Sequence, residues 1–131
     1  MKYKIRKDIS KTIQHPNTGK DVIIYRIEAL KDFRLINGKT VKAGELGGWV
    51  QTEYNLSQTG NCWTYEECTM LDFSRRKDNS VGYGNSMQLN HSMQADSSIQ
   101  RGNSIQKSCS IQKCNSVQQG YSVSEGNEIL C

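Results

Sequence analysis

The chain has little of what an ordinary globular domain is built from. Hydrophobic residues make up 35% of it, aromatics 8%, and the mean hydropathy is −0.70. A layered core is short of material at that composition, whereas a solenoid needs only one inward side chain per repeat. One proline and 11 glycines in 131 residues exclude a disordered linker protein. No apolar run approaches the ~20 residues of a membrane span. The basic start, residues 1–7, leads into polar residues 8–17 rather than an apolar signal core, so a cytoplasmic, non-secreted protein is expected. Five cysteines, an odd number without framework-like pairing, read as reduced thiols. The spacings Cys62–Cys68 and Cys109–Cys114, with no histidine beside them, do not match structural zinc sites. There is no Walker loop, dinucleotide-binding glycine pattern or paired-carboxylate constellation. No catalytic residue, cofactor or metal is therefore expected from these motifs.

What is present is a repeat. From Asn79 to Cys131 a six-residue unit recurs almost without interruption. Its third place is Val81, Met87, Met93, Ile99, Ile105, Ile111, Val117, Val123 and Ile129. Its second place is serine eight times running, Ser80 to Ser122, before Glu128 breaks the column. Its fourth place is glutamine six times running: Gln88, Gln94, Gln100, Gln106, Gln112 and Gln118. A fixed period with one aliphatic per unit implies a repeat architecture. Six residues per side and three sides give a left-handed β-helix-like coil, and residues 59–131 supply about four coils. The fold class expected is all-β: a small antiparallel β head over 1–58, then a hexapeptide β-solenoid over 59–131.

Strand alternation allows two registers. Either the aliphatics point inward with Ser and Gln outward, or the reverse. Burying nine aliphatics at roughly 1.5–3 kcal/mol each favours the first over burying amides that need complete partners. The reverse register leaves an apolar stripe outside as a binding face. Asn79, Asn85, Asn103, Asn115 and Asn127 fall at corners, with Gly84, Gly102, Gly120 and Gly126 at the adjacent corner place, where left-handed backbone is tolerated. The Gln column reads as a self-bonding surface ladder or a flat polar face for a partner.

The head reads as β-rich. Lys2–Arg6 alternates, residues 15–20 are dense in turn formers, and Val22–Leu30 places Ile23, Tyr25, Ile27 and Ala29 on one face. Asn37-Gly38 is a hairpin signal. Gly44, Gly47 and Gly48 permit close backbone geometry beside Trp49. Residues 1–60 carry eleven Lys and Arg against six Asp and Glu. That basic excess includes Lys2, Lys4, Arg6, Lys7, Lys31, Arg34, Lys39 and Lys42, and with Arg75, Arg76 and Lys77 it offers a partner-binding surface. Nucleic acid is the less favoured partner, because acids are interspersed.

The runs Tyr25–Phe33, Val41–Val50, Asn55-Leu56-Ser57 and Gly60-Asn61-Cys62-Trp63 resemble a family of small phage and prophage proteins. Those proteins share a head of this kind followed by tandem hexapeptides, and the match covers about residues 22–72. The resemblance implies a phage origin and a β-solenoid tail. After Asp72 the chain departs from that pattern: Arg76 stands where an aliphatic belongs, so a register shift is expected in Phe73–Asp78.

On that resemblance the leading expectation is a non-enzymatic phage protein in the host cytoplasm. It would bind a host protein such as a Cas effector and inhibit host defence in an anti-CRISPR-like way. Other readings are a minimal hexapeptide-repeat acyltransferase and a structural phage component. His91 replaces Asn at one corner; resemblance to hexapeptide-repeat acyltransferases makes it a general base, and otherwise it is a tolerated corner residue. His15, beside Pro16, reads as a turn residue. The terminal Ile129, Leu130 and Cys131 present an open apolar edge, from which a homo-oligomer, most simply a dimer, is expected.

Overall fold

The structure, a computed structural model, describes residues 1–65, 67–118, 123–124 and 129–131. Gly120, Ser122, Gly126, Asn127 and Glu128 lie outside the described residues. Two long strands, β1 (Tyr3–Gln14) and β2 (Asp21–Ala29), form an antiparallel hairpin closed by residues 15–20. A short hairpin follows, β3 (Phe33–Arg34) and β4 (Thr40–Val41), with Gly38 at φ 87° in its turn. Next come β5 (Leu46–Val50) and a 3-10 turn, Glu53–Asn55. Twelve two-residue strands then repeat at intervals of six. They are β6 (Trp63–Thr64), β7 (Thr69–Met70), β8 (Arg75–Arg76), β9 (Val81–Gly82), β10 (Met87–Gln88) and β11 (Met93–Gln94). They continue as β12 (Ile99–Gln100), β13 (Ile105–Gln106), β14 (Ile111–Gln112), β15 (Val117–Gln118), β16 (Val123–Ser124) and β17 (Ile129–Leu130).

Each strand pairs in parallel with the one three later, so Met87 faces Ile105 and Ile99 faces Val117. That is eighteen residues per coil and three sheets around one lumen. The first sheet runs β1-β2-β5-β7-β10-β13-β16, the second β17-β14-β11-β8 and the third β15-β12-β9-β6. The molecule is all-β, an antiparallel head joined to a β-solenoid of about four coils. The join is a shared sheet: β5 is antiparallel to β2 on one edge and parallel to β7 on the other. Gly47 and Gly48 let that strand lie against the first coil. A Cβ on Gly48 would overlap the Tyr65 carbonyl, and one on Gly47 would press 2.6 Å from the Trp63 ring.

The main core spans the join, with Tyr3, Ile27, Phe33, Val41, Val50, Leu56, Trp63, Met70 and Val81 buried together. A smaller cluster, Ile24, Leu71 and Leu89, fastens the β1–β2 hairpin along the first sheet. Ile24, not Ile23, is the inward residue there, since Ile23 is 53% exposed. The face of β2 changes where its register to β5 shifts, between Arg26 and Glu28.

The register of the repeat is the reverse of the one expected. Ser80, Ser86, Ser92, Ser98, Ser104 and Ser110 are buried, as are Gln88, Gln94, Gln100, Gln106, Gln112 and Gln118. The aliphatics lie on the other face of their strands: Val81 is buried in the main core, Met87 to Ile111 are half-buried, and Val117, Val123 and Ile129 are more exposed. Polar burial is tolerable because the coil supplies backbone acceptors for the serine and glutamine donors. In the serine column the hydroxyls of Ser74, Ser80, Ser92, Ser98, Ser104, Ser110 and Ser116 each share their proton between the carbonyl three residues back and another fourteen ahead, as Ser92 does with Leu89 and Gln106, while Ser86 pairs with Cys68 Sγ. From Gln88 to Gln112 each glutamine Nε2 donates to the carbonyls thirteen back and four ahead, as Gln94 does to Val81 and Ser98, and Gln118 Nε2 donates to the one thirteen back. Outside, the aliphatics cover one another at the ~4.8 Å strand spacing.

Two further expectations fail for related reasons. There is no register shift in Phe73–Asp78: Arg75 pairs with Met93 and Arg76 with Gln94, in step with the rest. Arg76 is fully buried in the lumen and not a surface cation. The cysteines are not all reduced, because Cys114 and Cys131 form a disulfide across the last coil. Cys62 and Cys68 are buried in the small-residue column that Ser74 and Ser80 continue.

The corners follow one rule. The sixth place is left-handed, with φ 59° at Asp72, 60° at Asn90, 54° at Asp96 and 60° at Ser108. Aspartate, asparagine and glycine suit that conformation. The side chain also reaches the N–H eighteen residues on: Asp72 accepts from Asn90, and Asn90 from Ser108.

Candidate functional site

The sixth-place and first-place residues of every third repeat stack on one corner. There the sequence puts Asp72 and Phe73, then Asn90 and His91, then Ser108 and Cys109. The tip of the β1–β2 hairpin folds onto this corner. His15 is buried, and its Nε2 donates to Asp72 Oδ2 at 2.8 Å. The Asn17 N–H donates to His15 Nδ1 at 3.1 Å, which leaves the proton on Nε2 and the ring neutral. Asp72 Oδ2 also accepts from the Asn90 backbone and side-chain amides, at 3.0 and 3.2 Å. Asn17 Nδ2 donates to Asn90 Oδ1 at 3.2 Å. His15 and Asp72 are therefore fully engaged in holding hairpin to coil.

His91 is different. It is exposed, stacked on Phe73 with ring centroids 5.3 Å apart and 6° between planes. Among the described residues no hydrogen bond holds its ring nitrogens. It stands at the lip of a cleft of about 550 Å³ lined by Gln51, Thr52, Tyr54, Asp72, Phe73 and His91. A smaller hollow of about 250 Å³, lined by His15, Thr18 and Asn90, adjoins it across Phe73. Gln51 Oε1 accepts from the Asp72 N–H at 2.7 Å, and Asn55 Nδ2 donates to the Asp72 and Ser74 carbonyls. The cleft floor is thus fixed to the corner. Arg75 holds Tyr54 of the lining: its guanidinium lies 4.8 Å over the Tyr54 ring and donates to the Tyr54 carbonyl at 2.8 Å. An imidazole with both nitrogens available, beside a rigid cleft, can accept a proton from a bound nucleophile.

The residues expected to bind a partner do not form one surface. Arg34, Lys39 and Lys42 are exposed on the small hairpin, where Lys39 lies 5.9 Å over Tyr65 and Lys42 is 3.7 Å from Asp32. Lys77 is half-buried on the solenoid. Arg76 and the six glutamines line the lumen and present nothing outward, because the register places the fourth side chain inside. Lys2 is also buried, donating to the Cys62 carbonyl at 2.6 Å and to Cys62 Sγ at 3.2 Å. Ile129, Leu130 and Cys131 lie at the last strand, paired with β14 and tied by the disulfide. Gln51, Thr52, Tyr54, Asp72 and Phe73 were not singled out from the sequence. The eighteen-residue spacing of Phe73 and His91 was the available signal for their stacking; the link of His15 to Asp72 across 57 residues had none.

Among the described residues no three His, Cys, Asp or Glu side chains gather as a metal cluster. No described helix is long and apolar enough to cross a membrane. No protein-family profile matches the chain. Over 54 residues the chain is 41% identical to an Escherichia coli (strain K12) protein described as "Uncharacterized acetyltransferase YdcK". That stretch is 41% of this chain, which spans only 15% of the relative's length. The expectation of a non-enzymatic protein is corrected by this relative, whose description is that of an enzyme. Neither the site nor the relative supports inhibition of host defence.

Proposed function

We propose that the corner cleft carries acyl transfer, with His91 as general base. The observation that carries this reading is the unbonded, Phe73-stacked imidazole of His91 at the lip of the 550 Å³ cleft. A hydroxyl or amine bound in the cleft gives its proton to the imidazole as its oxygen or nitrogen attacks the carbonyl of a thioester. The carbon–sulfur bond then breaks, and the thiolate takes the proton back from the imidazolium. The similarity to a protein described as an acetyltransferase supports the reaction class. Phe73 holds the ring plane, and the His15–Asp72 pair holds the corner against the hairpin.

The test is thiol release from acetyl-coenzyme A by the purified chain across a panel of amine and hydroxyl acceptors. His91→Ala is expected to lower the rate by about 10²–10⁴-fold. His15→Asn, at a residue placed in the fastening and not in proton transfer, is expected to retain most of it. Release by the unaltered chain no faster than by His91→Ala removes the reading.

Phage origin, a host protein as partner and a homodimer belong to this proposal as lesser parts. The head motifs carry the first two, and the exposed Val117, Val123 and Ile129 carry the third. Light scattering with and without residues 127–131 tests the dimer, and a monomer in both cases excludes it.

A further inference from the structure

The lumen holds an arrangement that acyl transfer does not use. Gln88, Gln94 and Gln100 point inward from the three sheets of one coil, and Gln106, Gln112 and Gln118 from the next. Gln88, Gln94, Gln100, Gln106 and Gln112 spend both Nε2 protons on backbone carbonyls in one pattern, and Gln118 shows the first of those bonds, to the Ile105 carbonyl. Their Oε1 atoms are therefore placed alike. In the lower coil two of those oxygens clasp a cation: Arg76 Nε donates to Gln94 Oε1 at 2.6 Å, and its Nη2 to Gln100 Oε1 at 2.9 Å. The other four, on Gln88, Gln106, Gln112 and Gln118, are buried and have no hydrogen-bond partner among the described residues.

We propose that the lumen between these two coils binds one weakly hydrated monovalent cation, of the size of potassium or ammonium, on the four oxygens of Gln88, Gln106, Gln112 and Gln118. The lining decides the class of ligand. It offers acceptors, since the glutamine amide protons described above go to carbonyls and the serine hydroxyls to carbonyls or, at Ser86, pair with Cys68 Sγ. A water brings two protons to four acceptors and leaves its own lone pairs facing oxygen, whereas a cation has none to place. Arg76 shows that the equivalent oxygens of Gln94 and Gln100 hold a positive charge without a carboxylate. Neutral amide oxygens with a guanidinium one coil below disfavour a divalent ion, whose repulsion would be doubled. Rings of amide carbonyls of this kind replace the hydration shell of potassium-sized ions.

The experiment uses the full chain refolded in potassium, rubidium, ammonium or choline chloride at equal ionic strength. Thermal midpoints are expected to be higher in the first three than in choline, rising with the logarithm of their concentration as for any ligand of the folded state. Gln112→Leu is expected to remove that dependence while folding in choline chloride. Anomalous scattering from rubidium in crystals of the unaltered chain provides a readout independent of any variant, with a peak expected among the four oxygens. Equal midpoints in potassium and choline, or a water at that place in the rubidium crystal, would overturn the proposal.

Discussion

Replacing Gly82 with glutamine would restore the repeat's own fourth-place residue, yet it should be among the most damaging changes available. Gly82 sits in the lumen beside Arg76, and a Cβ there would overlap the guanidinium. The group has nowhere to go, being bonded to Gln94, Gln100 and Thr64 inside a closed coil. Overpacking at such a site costs roughly 1–3 kcal/mol, and displacing a buried charge from its partners about 3–5 kcal/mol; a total of at least ~3 kcal/mol is expected. Arg76→Gln alone should be milder. It strands the Gln94 and Gln100 oxygens at about 1–3 kcal/mol each, but relieves the burial of an unpaired charge, several kcal/mol in the opposite sense. In the Arg76→Gln background Gly82→Gln has room, so most of its penalty should vanish. The cycle of single and double variants, followed by urea unfolding, should give a coupling of about 3 kcal/mol. At roughly 4 °C per kcal/mol for a chain of this size, Gly82→Gln loses about 12 °C alone and only a few degrees in the double variant. Single effects that add to within about 0.5 kcal/mol would refute the placement of Arg76 in the lumen.

Lys2 gives a pH test. Burial pushes its amine below the ordinary lysine value, only partly offset by Cys62. Between that lowered native value and the ordinary 10.5, the unfolded chain binds the extra proton, so stability rises with pH across this window. Lys2→Met should abolish that rise; identical alkaline profiles would count against the burial. Cys131→Ser should lower stability by about 2–4 kcal/mol, since the disulfide closes a loop with separation 17, and adding reductant to the unaltered chain should reproduce the loss in thermal unfolding. At the left-handed corner, Asn90→Gly should be nearly neutral for backbone reasons, whereas Asn90→Val should cost about 1–2 kcal/mol more. Equal denaturation midpoints for the two variants would exclude a positive φ there.

The period and the two hairpin turns were legible because each depends on local spacing, whereas the run of β1 on to Gln14 and the strand Leu46–Val50 were not read. Nor was the register legible, and the reason is specific. Weighing nine outward aliphatics against buried amides treats the amide as lacking partners. In the coil, each Gln Nε2 from Gln88 to Gln112 finds two carbonyls, one from the coil beneath and one from the next corner, as Gln94 does. Those acceptors exist only once the chain is wound. Arg76 looked unfit for an interior for the same reason: its room depends on Gly82, and its acceptors on glutamines 18 and 24 residues away. His91 was visible as a corner histidine, but its stacking on Phe73 and the cleft behind it depend on coil geometry and on the 3-10 turn that carries Tyr54. The cysteine pair 114 and 131 was hidden by an odd count; one bond leaves three free thiols.

The shared sheet bears on how such a chain can begin to fold. A coil lined with amides gains little from collapsing alone, because its interior donors need the carbonyls of a coil already in place. The β1–β2 hairpin is local and antiparallel, and β5 adds to it before any parallel rung exists. β5 then offers the first parallel edge, on which Thr69 and Met70 settle opposite Trp49 and Val50. Each finished turn offers the glutamines eighteen residues later their carbonyls thirteen back, so head-to-tail assembly is expected. The head is in this sense a primer. Repeats severed from it would keep their full set of inward hydrogen-bond donors and lose the surface that first receives them.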